Sequence, residues 1–277
     1  MDLAGKLEIA GKTDPGKIRE HNEDKIGEEV ELGAIVLADG MGGYHGGEVA
    51  SAIAVNTILN HLHEHLPAVR CGTRDKQTGV GMEAVVAREA ILRANREILA
   101  ASEAQPQFRG MGTTIVLALF YDNRVAVAHV GDSRMYRLRQ GRLDTVTRDH
   151  TLLQELVDRG LYSEEEARES LNKNLVTRAL GVESEVLIDV QENVAEVGDT
   201  YLLCSDGLND MIDDQEIQDA FEQDGPDLQT IADGLVDRAI AAGGRDNVSV
   251  VLARVLEPFP APPKTWYEKV SGYFVNQ

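Results

Sequence analysis

The sequence has little cysteine: two residues in 277, Cys71 and Cys204, far apart along the chain. That excludes a disulfide scaffold and suits a reducing compartment. Basic residues are outnumbered, 27 Lys and Arg against 47 Asp and Glu, for a net charge of −20. The cationic footprint that nucleic acid demands is missing, so a nucleic-acid partner is excluded. No apolar run approaches the roughly 18 residues of a membrane span. Met1-Asp2-Leu3 opens without the basic and apolar regions of a secretory signal, so a cytoplasmic location is expected. No G-x-x-x-x-G-K-S/T phosphate cradle is present, which removes the common nucleotide-hydrolysing loop.

What is there suffices for a packed body. Hydrophobic residues make up 43%, and the length allows one large domain or two small ones. Leu7 to Thr13 and Gly33 to Ala38 read as strands. Glu48 to Leu66 carries Val55, Ile58, Leu59, Leu62 and Leu66 at helical spacing, and Met82 to Ala101 is a second long helix. Gly112 to Tyr121, Arg124 to Val130, Arg134 to Arg139 and Arg142 to Val146 read as an antiparallel meander, turned at Asp122-Asn123 and Gln140-Gly141. Asp149 to Arg168 is a charged helical segment, broken at Gly160, between strands, like an inserted subdomain or lid. Leu187 to Val190, Thr200 to Cys204 and Val248 to Val255 are strands, and Asp214 to Gln223 and Leu228 to Ala242 are helices. A block of strands with long helix pairs fits an α+β layered sandwich. After Glu257, four prolines precede an aromatic stretch ending at Gln277, a semi-rigid spacer and a separate tail.

The informative residues are aspartates at strand ends. "VLADGMGGYHGGEVAS" runs from a strand into glycines with Asp39 at the mouth. "HVGDSR" places Asp132 just past a strand, "LLCSDG" does the same for Asp206, and "GGRDNVSVV" sets Asp246 just before the last one. "REHNED" puts Glu23 and Asp24 in a loop after the first strand. Singly, each reads as a turn cap. Gathered at one rim, they cannot all stay ionised without cations, and oxygen ligands select magnesium, manganese or calcium. Two such ions about 3.5–4 Å apart can acidify a water and clamp a phosphoryl group. Arg19, on the loop before Asp24, has the guanidinium for a bidentate phosphate contact, or for a surface ion pair with Glu20 or Glu23.

"REHNED", "ADGMGG", "RGMGTT", "HVGDSRMYRL", "TRDHTLLQELVDRG", "NLVTRALG", "LLCSDGL" and "GGRDNVSVV" follow one another in that order. Together they resemble the metal-dependent protein serine/threonine phosphatases of type 2C, in their bacterial form, over roughly Leu7 to Val255. The resemblance implies an α+β, four-layer αββα sandwich, two antiparallel sheets flanked by helix pairs. It implies a phosphatase domain over 1–256 with a flap at about 149–181, and leaves 257–277 as the tail. Asp39 would bridge two manganese or magnesium ions, with the Gly40 carbonyl on the second. Asp206 and Asp246 would hold the first ion, and Asp24 with Glu23 the second through its waters. Asp132 with Asp206 would hold a third, weaker ion. Arg19 would grip the substrate phosphate. The implied reaction is direct attack of a metal-bridging hydroxide on phosphoserine or phosphothreonine in a protein, opposing a partner kinase.

Two departures stand out. Met41 occupies the place of a histidine found in animal relatives, and Tyr44 the place where bacterial relatives often have one, with His45 a step later. His45 and Tyr44 are therefore the candidate general acids, beside a metal-bound water. In the flap, "ESLNKN" replaces the usual sequence.

Rival chemistries are weaker. His61, Glu64 and His65 spell an inverted zinc-protease pattern, or simply the polar flank near a helix end. A cysteine phosphatase needs an arginine six residues past its cysteine, where Gln77 and Asp210 stand, and an aspartyl phosphatase needs an absent D-x-D. The remaining alternative is a catalytically silent phosphoprotein-binding module on the same fold.

Overall fold

The computed structural model describes residues 3–43, 45–163 and 175–259. Tyr44, the middle of the expected flap and the tail from residue 260 lie outside the described residues. The strands are β1 (Leu7–Asp14), β2 (Asp24–Glu29), β3 (Ala34–Met41), β4 (Gly112–Thr113), β5 (Ile115–Tyr121), β6 (Arg124–Val130), β7 (Arg134–Arg139), β8 (Arg142–Thr145), β9 (Asp189–Val194), β10 (Thr200–Cys204) and β11 (Val248–Val255). The helices are α1 (Gly46–His65), α2 (Met82–Ala104), α3 (Leu152–Asp158), α4 (Asp206–Asn209), α5 (Asp214–Gln223) and α6 (Leu228–Ala241).

Two antiparallel sheets form the centre. One has the order β1-β11-β10-β7-β8, the other β2-β3-β5-β6-β9, with the short β4 on β3. The expected meander is thus divided: β5 and β6 pair in one sheet, β7 and β8 in the other. The turn between β6 and β7, which holds Asp132, is where the chain changes sheets.

Three apolar layers hold the stack together, and single strands feed two of them. On β3, Ala34, Val36 and Ala38 face α1 and α2, while Ile35 and Leu37 face the opposite sheet. That two-sided burial is why "AIVLA" is continuously apolar rather than alternating. β11 does the same on the other side: Val248, Val250 and Leu252 face α5 and α6, and Val251, Ala253 and Val255 face inward. The result is the αββα sandwich. Small residues on α1 and α2, including Ala50, Ala54, Ala87 and Ala90, let that helix pair pack closely. α5 begins with a capping box, Asp213 and Glu216 each bonding the other's backbone N–H.

Two local expectations, at Asp24 and at Leu187, need correction. Asp24 does not sit in a loop: it begins β2, whose sequence DKIGEE has too few apolar residues to announce a strand. In the lid segment, α3 ends just before the break expected at Gly160, Thr151 caps it by accepting from Gln154 N–H, and residues 164–168 lie outside the described residues. The strand expected at Leu187 starts two residues later and runs to Val194. At the other end of the body, Phe259 is buried on Phe120, and its N–H donates to Asn123 Oδ1 at 2.7 Å.

Candidate active site

Sheet register brings the first two aspartates together. Asp24 and Asp39 are directly opposed at the shared end of β2 and β3. Asp39 is fixed through its backbone: its N–H donates to Thr114 Oγ1 at 3.1 Å, and its carbonyl accepts from Thr114 N and Thr113 Oγ1, both at 2.8 Å. Asp24 is fixed through its side chain, whose Oδ2 accepts from Ser249 Oγ at 2.6 Å and Ser205 Oγ at 2.8 Å. Ser249 lies in β11 of the other sheet and Ser205 just past the end of β10, so Asp24 ties the two sheets together at this rim. Its second oxygen, Oδ1, is buried and has no protein partner.

Glycine is required where α1 meets β3. A Cβ on Gly40 would run into the Gly47 carbonyl and lie 2.6 Å from the Glu23 carbonyl. One on Gly47 would lie 2.7 Å from the Glu23 carboxylate. The start of α1, the end of β3 and the Glu23 backbone are thus in direct contact. Gly40 N–H donates to the Glu23 carbonyl at 3.1 Å, and Ser51 Oγ donates to the same oxygen at 2.6 Å.

Asp206 opens α4, Asp132 lies in the turn after β6, and Asp246 precedes β11. Burial and neighbouring charge act on four of these carboxyls. Burial, then the charges of Asp24, Asp206, Asp132 and Asp246, push the Asp39 carboxyl well above the usual carboxylate range. Burial, then Asp132, Asp210 and Asp246, push Asp206 up to about 8. Burial raises Asp24 and Asp132 to about 6 each; the two serine bonds hold Asp24 down, and Asp149 adds to the rise at Asp132. Glu23 is also raised, by burial first.

Arg19 touches neither Glu20 nor Glu23. Its Nη2 donates to Asp246 Oδ2 at 2.7 Å, and this contact leads the causes that raise its pKa. Arg19, Glu20, His21, Glu23 and His45 line a cavity of about 510 Å³ beside the aspartate rim. His45 lies within this cavity wall, whereas His61 and His65 stack on each other in α1, with His65 Nδ1 donating to the His61 carbonyl.

The residues fit hard cations. Every candidate donor is an oxygen, Asp24 Oδ1 is buried and unmatched, and the charges of neighbouring aspartates raise the carboxyls of Asp39 and Asp206. A second cluster does not fit an ion. His129, His150 and Asp189 bring three ligand atoms within 4.8 Å, the one such group among the described residues. Arg178 already supplies its cation, 3.1 Å from Asp189 Oδ1 and 3.2 Å from His150 Nε2.

Comparison with known proteins agrees with this geometry. The pattern described as Protein phosphatase 2C matches residues 18–237. The chain belongs to the protein phosphatase 2C family. This phosphatase 2C chain is 39% identical over 253 residues to the serine/threonine protein phosphatase PstP of Mycobacterium tuberculosis, covering 91% of the chain but only 45% of that relative's length. It is 37% identical over 244 residues to the serine/threonine phosphatase stp of Listeria welshimeri, covering 87% of this chain and 93% of that one. The crystal structure of the Mycobacterium tuberculosis phosphatase PstP/Ppp superimposes with a TM-score of 0.80 at 36% identity, over 91% of this chain and all of that one (100%). A PstP catalytic domain in complex with two manganese ions matches at a TM-score of 0.77 and 36% identity, over 91% and 99% of the two chains. Sequence reading of this phosphatase 2C chain did not single out Ser205, Ser249, Thr114 and Asn247. They stand within the quoted motifs, but a hydroxyl or amide shows no role until its partner is placed.

Proposed function

We propose that this chain is a metal-dependent protein serine/threonine phosphatase. The observation that carries the reading is Asp39, partly buried and opposed to the buried Asp24, with the charges of Asp24, Asp206, Asp132 and Asp246 acting on its carboxyl. Asp39, Asp206 and Asp246 would hold one manganese or magnesium ion. Asp39, the Gly40 carbonyl, Asp24 and Glu23 would hold a second, and Asp132 with Asp206 a weaker third. When bound, such ions acidify a water, neutralise phosphoryl charge and give an acidic protein a local attraction for anions.

The chain's own residues do the rest. Ser205 and Ser249 fix the orientation of Asp24, and Thr114 fixes Asp39. Arg19 binds the substrate phosphate, exchanging its bond to Asp246 for a bidentate one to phosphoryl oxygens. Domain limits of 1–256 for the phosphatase unit, with a flap near 149–181 and a tail over 257–277, belong to the same proposal. So do a cytoplasmic setting and a cognate serine/threonine kinase acting on the same phosphoproteins. Among the described residues, no helix is long and apolar enough to cross a membrane.

The test is hydrolysis of p-nitrophenyl phosphate and a phosphothreonine peptide in EDTA, then with manganese or magnesium restored. Metal-restored release of phosphate from the peptide is the expected result. A folded protein that binds the peptide but releases no phosphate with any metal overturns the reading in favour of a binding module.

A further inference from the structure

Away from the aspartate rim, the sandwich has a second cavity, of about 650 Å³. It lies at the turn between β5 and β6, whereas Asp132 follows the far end of β6. The length of that strand, about 20 Å, separates the two places.

Three of the carboxylates in its wall come from separate parts of the chain: Glu83 in the first turn of α2, Asp122 in the β5–β6 turn and Glu192 on β9. Two of them are matched. Glu192 Oε1 accepts from Tyr121 Oη, and from Gly81 N–H at 3.2 Å, while its Oε2 stands 3.5 Å from Arg74 Nη1. Asp122 accepts from Cys71 Sγ at 2.7 Å and from Gly72 N–H at 2.8 Å. Glu83 is different. It is 1% exposed, and neither of its carboxyl oxygens has a hydrogen-bond partner. A buried carboxylate in that condition is costly unless a cation or donor meets it.

The local charge does not supply one. Arg74 is engaged by Glu192 and by the Gly79 carbonyl. The start of α2 favours negative charge, but a helix end carries only about half an elementary charge. Burial, with the charges of Asp122 and Glu192 added, raises Glu83 to about 7. A positive group placed among these carboxylates would favour its ionised form. The wall also has an aliphatic part, Val194 and Val197, each more than half exposed, and Pro258. A bare metal ion would leave that part uncovered. An ammonium on a carbon chain uses both, charge against the carboxylates and methylenes against the valines.

We propose that this cavity is a second ligand site, taking a primary alkylammonium group matched by Glu83, with its carbon chain laid on Val194 and Val197. The site is independent of the phosphatase reading. Two sources offer the group: a free diamine, or a lysine side chain such as Lys264, six residues past Pro258 in the cavity wall.

The test is calorimetric titration of the full chain with cadaverine, using 1,5-pentanediol as the uncharged counterpart. We expect the diamine to bind and the diol not to. Glu83→Gln keeps the shape and removes the charge, and should weaken cadaverine at least about 10-fold. Amide NMR of the wild-type protein, which needs no variant to fold, should show cadaverine shifts gathered at Gly72, Gly81 and Asn123. The source is read from Lys264→Ala. Cadaverine binding about 10-fold tighter than in wild type supports the site with Lys264 as its occupant, and equal affinity supports it with a free amine. Cadaverine affinity unchanged by Glu83→Gln, shifts scattered over the acidic surface, diol binding equal to diamine binding, or no binding to either wild type or Lys264→Ala overturns the proposal.

Discussion

At the residue scale, the site separates into groups that hold cations and groups that hold substrate, and substitution should tell them apart. Asp39→Asn keeps the side-chain shape but removes the charge shared by the whole rim. The expected loss is on the order of 10³-fold in kcat for every substrate, accompanied by weaker manganese binding in calorimetry. Arg19→Ala removes charge-assisted bonds to the phosphate and should raise KM roughly 10-fold or more while leaving manganese affinity near its original value. Arg19→Lys should recover only part of that, because a point charge lacks the planar fork. A manganese affinity that falls as far as substrate affinity would place Arg19 among the cation-organising groups, through its 2.7 Å bond to Asp246.

At the scale of elements, the sheets are joined by charge as well as by apolar packing. Arg139, at the end of β7, bonds both oxygens of Asp199, at 2.7 and 2.6 Å. It also reaches the Val194 carbonyl and Glu196 Oε1. Asp199 is buried and takes two further bonds, from Glu196 N–H and Tyr201 Oη. The latch therefore closes the crossover from β9 in one sheet to β10 in the other. Arg139→Ala leaves a buried carboxylate without its cation; because the arginine itself is partly exposed and two hydrogen bonds to Asp199 remain, the cost should be about 2–3 kcal/mol in denaturant unfolding. Arg139→Ala paired with Asp199→Asn should cost less than the first change alone, as measured by a double-mutant cycle.

The same scale shows what sequence made legible. Strands buried on both faces, such as β3 and β11, announce themselves by unbroken apolar runs, and their limits are nearly as expected. β2 does not, because "DKIGEE" is half exposed and is held by register with β3 rather than by its own apolar content. The aspartates were legible because carboxylates at strand ends are chemically conspicuous. Ser205 and Ser249 were not, since a serine declares its role only once its partner is known, and Asp24 lies far from both in sequence. The division of the meander between two sheets is likewise a matter of long-range pairing, which local turn chemistry does not encode.

At the scale of the whole molecule, the net charge of −20 includes carboxylates gathered at the rim, where burial disfavours their ionised form. In the metal-free protein, burial and mutual repulsion hold Asp206 up to about 8, and Asp39 rises in the same direction. An unfolded aspartate titrates near 4, so between about pH 4 and pH 8 the native state binds more protons than the unfolded state. The linkage slope is then negative, and stability falls as pH rises through that window. His150 works the other way: burial holds it down to about 4 from the usual 6.5, so its contribution is lost only as pH falls below 6.5. Comparing pH 6.5 with pH 8.5 therefore isolates the carboxylates. In EDTA, Tm should drop by roughly a few degrees between those two values. Manganese should close the gap, since it binds the folded, deprotonated rim and raises Tm most where the repulsion is greatest. Asp206→Asn should shrink the gap in EDTA and also blunt the manganese effect. A metal-free Tm that is flat or rising from pH 6.5 to 8.5 would mean that the aspartates are relaxed apart in solution, and that the rim is assembled by the cations rather than waiting for them.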